Sequence, residues 1–313
     1  MLPIIPALLL SSTSVVGGTP AKPGAWRDAV AVLSPMAACT GTLITPDVVL
    51  TAGHCIDTGP AVVIVDTVDY GQPGGEPIKV KRSLAYPDWE HAYDVGIVVL
   101  DHPAAAKPRA IAAACSIRGG LVSGALVHLV GFGLTTKAGT GDNTRLHEAQ
   151  IPIIDPRCGD EPSCVAAIAP DGEFTAGGTG RDACFGDSGG PIYLDTPGGP
   201  ALVGVVSRGF AMAGAPCGGG GVYVRADQVI PWIQRVTHET VVRTKCAGAA
   251  DEDADPPAAT SEGGCAVGGG AGGSLVIALG ALAAAVGFGR RRAGARAQRR
   301  RAELRPVRAA QSA

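Results

Sequence analysis

The chain has 313 residues, 46% of them hydrophobic and 17% charged, enough for one large domain or two small ones; its 46 glycines and 24 prolines follow no fixed period, which excludes a collagen. Aromatic residues are only 4% and no long helical periodicity runs before residue 274, so many short strands joined by Gly and Pro turns fit better than a helical bundle. The net charge of −2 hides an asymmetry: residues 290–313 hold nine Arg and one Glu, whereas residues 15–246 hold 17 Lys plus Arg against 22 Asp plus Glu, a body with no electrostatic case for nucleic-acid binding.

The first predicted element, residues 1–14, resembles a signal peptide. An apolar run from Met1 to Leu10 precedes Ser-Ser-Thr-Ser, with Ser12 and Ser14 as the small residues at −3 and −1 of a signal peptidase site. No positive charge precedes the run, which leaves a start upstream of Met1 open. The alternative, a buried N-terminal strand, is disfavoured by the prolines and by the cysteine count. Nine cysteines occur with no CxxC pair and no Cys/His cluster at zinc spacing. Disulfides in an oxidising compartment are therefore expected, and no metal site.

Next, the apolar run Val48-Val49-Leu50 leads into Thr51-Ala52-Gly53-His54-Cys55. Asp94 opens Asp94-Val95-Gly96-Ile97-Val98-Val99-Leu100, a strand-like run, and Leu126–Val130 is another. Cys184-Phe185-Gly186-Asp187-Ser188-Gly189-Gly190-Pro191 completes the set. A lone His or Asp means little in a chain of this length, but three such blocks in the order His, Asp, Ser are highly specific.

From Ala247 the composition changes. Asp251, Glu252, Asp253 and Asp255 sit among Ala, Ser, Gly and Pro, the composition of a solvated linker. Residues 247–273 read as linker and sorting motif, with Gly263-Gly264-Cys265 in it. Residues 274–289 are the most apolar part and, with their Gly/Ala-rich lead-in, reach the roughly 20 residues of a transmembrane segment. Residues 290–313 form a basic tail whose Arg cluster places that end in the cytoplasm and the body outside. Together these pieces resemble the tripartite C-terminal sorting signals of some Gram-negative bacteria, the MYXO-CTERM and GlyGly-CTERM types. That resemblance implies a sorting protease acting near Gly264-Cys265. A plain membrane anchor is the alternative.

The blocks around His54, Asp94 and Ser188 resemble those of the chymotrypsin/trypsin family of serine proteases, and the resemblance covers Val15 to about Cys246. It implies an all-β fold of two six-stranded antiparallel β-barrels, a join near Pro103–Gly120 and a C-terminal helix near Val229–Thr240. The chemistry has a stated need for each residue. A serine hydroxyl is a poor nucleophile at neutral pH and requires an adjacent base. His54 would take the Ser188 proton and deliver it to the leaving amine. Asp94 would hold the imidazole in the right tautomer and stabilise its cation. The backbone N–H groups of Gly186 and Ser188 would form the oxyanion hole, each such donor being worth about 2.7–4 kcal/mol.

The same resemblance extends to specificity and activation. Asp182, six residues before Ser188, matches the floor of the primary pocket, and Gly209 and Gly221 match its walls. Cleavage after Arg or Lys is expected; the alternative is an Asp182 neutralised internally by Arg208. Ser207-Arg208-Gly209 resembles the substrate-binding strand, with Ser207 supporting Asp94. An aromatic residue is common at the Arg208 position, so Arg208 either alters the substrate shelf or points into solvent. Val15-Val16-Gly17-Gly18 resembles a mature N-terminus, whose ammonium would pair with Asp187. Residues 1–14 hold no Lys or Arg, so signal removal rather than a tryptic cut would expose Val15.

Cys39 with Cys55 and Cys184 with Cys217 match family bridges. Cys158 lacks its family partner, because Thr175 stands there, and Cys164 is the expected substitute. Cys115 and Cys246 remain for each other, and Cys265 falls in the sorting segment. No cofactor is implied; protein or peptide substrates are. Asp66, Asp69 and Glu76 lie where some family members bind calcium, but the spacing is not an EF-hand and a solvated loop is preferred. His91, His102, His128, His147 and His238 read as structural or surface residues. Two function classes follow: an active secreted endopeptidase, or a catalytically inactive surface-binding protein built on the same fold.

Overall fold

Short aliphatic runs punctuated by Gly and Pro fold into strands in the computed structural model, which describes residues 15–159, 161–210 and 215–246. A closed antiparallel barrel forms from β2 (Ala29–Leu33), β3 (Ala38–Thr45), β4 (Val48–Thr51), β5 (Val62–Val65), β6 (Glu76–Ala85) and β7 (Gly96–Leu100), in the order β2-β3-β4-β7-β6-β5. A second sheet holds β8 (Leu126–Gly131), β9 (His147–Asp155), β10 (Glu173–Ala176), β11 (Pro191–Thr196), β12 (Gly199–Gly209) and β13 (Gly221–Arg225). Its order is β9-β10-β13-β12-β11-β8, and the β8–β9 pairing closes it. The two expected six-stranded barrels are therefore present. One strand was not foreseen: β1 (Thr19–Pro20) pairs with Glu148 and His147 on β9, making this sheet seven-stranded.

Side chains alternate across a strand, and here both faces of many strands are dry. On β7, Val98 and Leu100 fill the first barrel, while Ile97 and Val99 join the cluster between the barrels. On β8, Val127 and Leu129 fill the second barrel and Val130 faces the first. Each fully buried side chain of this kind is worth about 1.5–3 kcal/mol. This accounts for unbroken apolar runs where a half-exposed strand would alternate.

A polar cluster sits inside that interface. The buried Asp28 carboxylate accepts from Arg109 Nε at 2.9 Å, from Tyr193 Oη at 2.7 Å and from Arg109 Nη2. The Arg109 guanidinium lies 4.8 Å over the Tyr193 ring and donates to Pro200 O at 3.0 Å. A buried charge requires such pairing, and here it ties the inter-barrel segment to both barrels.

That segment contains the expected join, and also an unforeseen helix, α2 (Ala114–Gly120). Cys115 on α2 is bonded to Cys246; the other bridges are Cys39–Cys55, Cys158–Cys164 and Cys184–Cys217, the pairs expected from the sequence. The single-turn α1 (Gly53–Ile56) follows β4. The C-terminal helix α3 spans Ile230–Thr237, after a 3-10 turn at Ala226–Val229. It stops three residues before the expected Thr240 because His238 takes a left-handed φ of 62° and its N–H caps Gln234 O. No helix among the described residues is long and apolar enough to cross a membrane. The expected signal peptide (1–14), the linker and sorting motif, the transmembrane segment and the basic tail (247–313) lie outside the described residues.

Candidate active site

The first barrel contributes His54, the expected base, and Asp94, its expected carboxylate. β4 ends in extended backbone at Ala52, and α1 begins at Gly53. A Cβ on Gly53 would collide with Trp89 at 2.8 Å and crowd Asp94 Oδ1 at 3.1 Å, so glycine leaves room for both. The His54 backbone N–H donates to Asp94 Oδ1 at 3.0 Å, and ring Nδ1 donates to Oδ2 at 2.9 Å. Ser207 Oγ, on β12, donates to the same Oδ2 at 2.7 Å. Burial works to raise the Asp94 carboxyl, but the His54 ring, the Ser207 hydroxyl and the His54 N–H hold it below the ordinary carboxylate range. With Nδ1 committed as a donor, Nε2 is left as the acceptor.

The second barrel presents Ser188, the expected nucleophile, on the loop before β11, and the first barrel holds that loop. Thr40 N–H, on β3, donates to Ser188 O at 2.9 Å. Thr40 Oγ1 donates to Gly186 O at 2.8 Å and accepts from Phe132 N–H at 3.1 Å. Gly189 (φ 78°) lies so close to β4 that a Cβ would collide with Thr51 Oγ1 and Thr40 O. Gly186 has φ 99°, a conformation that side-chain-bearing residues rarely adopt. Among the described residues no hydrogen bond joins Ser188 Oγ to His54, a contact that in such sites tightens when substrate arrives.

Asp187 is fully buried next to Ser188 in the chain. Its oxygens accept from Gly133 N at 2.8 Å and Cys184 N at 2.9 Å, and no cationic side chain pairs with it among the described residues. Burial pushes the carboxyl from 3.8 up to about 7, against the pull of those two N–H groups. Val15 is also fully buried, and Val16 bridges to Asp182. In this chain the Val15 nitrogen is a peptide nitrogen joined to Ser14, so the expected Val15–Asp187 ion pair is not formed in the uncut state. The sequence reading missed the cradle of this carboxylate: a Cβ on either Gly131 or Gly133 would overlap Asp187. The only signal was Gly131-Phe132-Gly133 closing the Leu126–Val130 run.

Asp182 is 1% exposed and accepts from Ala183 N (2.8 Å), Gly220 N (2.9 Å) and Gly218 N (3.1 Å), with Tyr223 Oη at 3.5 Å. Burial pushes its carboxyl up, opposed by those donors. Gly209 and Gly221 face each other across the β12–β13 pair. Arg208 removes two alternatives. It does not neutralise Asp182 and does not point freely into solvent; it is paired with Glu173 at 2.8 Å. Asp66, Asp69 and Glu76 turn to separate partners: Arg27, Gly71 N with Arg145, and Ala105 N respectively. Of the surface histidines, His91 pairs with Asp88 and His128 with Asp195.

A family model described as Trypsin matches residues 15–233. Protein masquerade of Drosophila melanogaster is 32% identical over 245 residues, covering 71% of this chain and 23% of that protein. Coagulation factor XII of Sus scrofa is 31% identical over 258 residues, covering 73% of this chain and 40% of that protein. Its Bos taurus counterpart is 29% identical over 253 residues with the same coverage, so the chain spans less than half the length of each of these relatives.

Proposed function

The chain belongs to the trypsin family of serine proteases, and on that footing we propose that residues 15–246 are an active endopeptidase that cleaves proteins or peptides after Arg or Lys. The observation that carries this reading is the clamp on Asp94, whose two oxygens receive the His54 N–H, the His54 ring and Ser207. A carboxylate so held orients the imidazole with Nε2 toward the nucleophile loop. Ser188 Oγ attacks the scissile carbonyl as His54 takes its proton, and the N–H groups of Gly186 and Ser188 receive the oxyanion. His54 then protonates the leaving amine, and water releases the acyl group by the reverse sequence. A serine-directed fluorophosphonate tests the reading. Stoichiometric labelling at Ser188 is expected, and an unlabelled, folded protein would favour the inactive surface-binding alternative.

Export is part of the proposal. Four disulfides suit an oxidising compartment, and residues 1–14 supply a signal-like run. In this reading signal peptidase exposes Val15 directly, and the C-terminal sorting segment holds the precursor at the membrane until a sorting protease acts. The new ammonium at Val15 would meet the buried Asp187. In the uncut chain that carboxyl binds its proton more tightly folded than unfolded. Its contribution to stability is therefore complete below about pH 4 and is withdrawn as pH rises toward 7. A cation beside it reverses that penalty. Losing one partner of such a buried pair costs about 3–5 kcal/mol, a hundredfold or more in rate at 1.36 kcal/mol per tenfold. Asp187→Asn should accordingly lower kcat/KM at least a hundredfold while secreted yield stays within a few-fold. N-terminal sequencing of the active enzyme should read Val-Val-Gly-Gly; any other start would sink this route of activation.

A further inference from the structure

Arg208 occupies a position on the substrate-binding strand, yet it has nothing left with which to bind substrate. A guanidinium carries five N–H donors and no acceptor. Nε donates to Ser163 O at 3.0 Å, Nη1 to Glu173 Oε1 at 2.8 Å and to Ser207 Oγ at 3.0 Å, and Nη2 to Ser163 O at 2.5 Å and to Glu173 Oε2 at 3.1 Å. All five are spent inside the protein. Glu173 is 1% exposed on its side chain and also accepts from Val165 N at 2.7 Å. Ser163 and Val165 flank Cys164, whose bond to Cys158 closes that small loop. The guanidinium is thus fixed on both sides before any substrate arrives.

Its fifth contact reaches the triad. A hydroxyl has one proton and can rotate it among partners. At Ser207 the choice is removed: Arg208 is donor-only, so Ser207 Oγ must accept from it and direct its own proton elsewhere. That proton goes to Asp94 Oδ2 at 2.7 Å, the oxygen that also receives His54 Nδ1. We propose that Arg208, locked by Glu173, is a positioning residue for the triad, forcing the Ser207 hydroxyl to donate to Asp94 and so fixing the carboxylate that orients His54. The inference rests on the protease reading of this site and adds to it a polar relay running Glu173, Arg208, Ser207, Asp94.

The test is a double-mutant cycle in the full-length protein. Arg208→Met with Glu173→Gln removes both charges, so no buried carboxylate is left unpaired. That pair should lower kcat on a Lys or Arg peptide about tenfold with KM within twofold. It should also broaden or move upfield the low-field proton NMR signal of His54 Nδ1–H. In a Ser207→Ala background the same pair should have no further effect on kcat, because the relay is already cut. Arg208→Lys, still a donor-only cation, should recover most of the kcat and the signal. Should that pair fail to fold, Arg208→Gln with Glu173→Gln, two neutral amides that can hydrogen-bond each other, provides the same comparison. Full additivity with Ser207→Ala, or an unchanged proton signal in the neutral variants, overturns the proposal. If the wild-type protein hydrolyses nothing, the protease reading fails on its own, and the proton signal still decides this inference.

Discussion

Ser188→Ala and His54→Ala should each lower kcat by about a millionfold, because nucleophile and base act as a unit and removing either forfeits nearly the whole advantage. The oxyanion hole and substrate binding remain, so a residual rate of about 10³–10⁴ over water should survive. The fold should be unaffected. Ser188 is held by its backbone carbonyl, which accepts from Thr40 N–H, and its hydroxyl makes no structural hydrogen bond among the described residues. The His54 backbone N–H would still reach Asp94 in the alanine variant. Thermal unfolding should therefore place both variants close to wild type. A variant that kept a tenth of the activity would move the chemistry to other residues.

The second large effect is expected at Asp182. Its carboxylate is buried, held by three backbone N–H groups and pushed upward by desolvation. No side-chain cation neutralises it among the described residues, so the group gains most from a cation that the substrate brings. Truncating one partner of a desolvated charge pair costs about 2–5 kcal/mol, roughly thirty-fold to a few thousandfold in kcat/KM. Asp182→Asn should impose that loss on Arg and Lys peptides and leave labelling of Ser188 by a small fluorophosphonate nearly unchanged. A wild-type preference for aromatic or small residues before the scissile bond, read from a peptide library, would overturn the assignment of the pocket floor.

Much of this site was legible in the sequence because its signals are local. Thr51–Cys55 and Cys184–Pro191 each place a reactive side chain within a few residues of the glycines that shape its turn. Strands were legible from apolar runs, but their closure into two barrels came only from the resemblance to the chymotrypsin/trypsin family, and the lack of alternation made sense only once strands such as β7 were seen to face two cores. What stayed hidden depends on distant partners. Gly131 and Gly133 are glycines because Asp187, more than fifty residues later, needs their space. Arg208 read as either an altered substrate shelf or a solvent-facing side chain because Glu173 and Ser163, which spend its donors, lie 35 and 45 residues away. Helix α2 is seven residues long and ends in Gly119-Gly120, too short to show a period. The early end of α3 is set by the left-handed turn at His238, a backbone event that no side-chain pattern announces.

Thr40 belongs to the first barrel, yet it holds Ser188 O and Gly186 O and accepts from Phe132 N–H, all in the second. His54 and Asp94 lie on one side of the same divide, and Ser188 and Ser207 on the other. Half of this molecule, however well folded, is chemically inert. A nascent or partly opened chain would lack both the pairing of His54 with Ser188 proposed above and the Thr40 brace on the Gly186–Ser188 loop. On the protease reading, the division of the site between two halves is a safeguard in time: peptide hydrolysis would begin only once the two barrels have closed on each other.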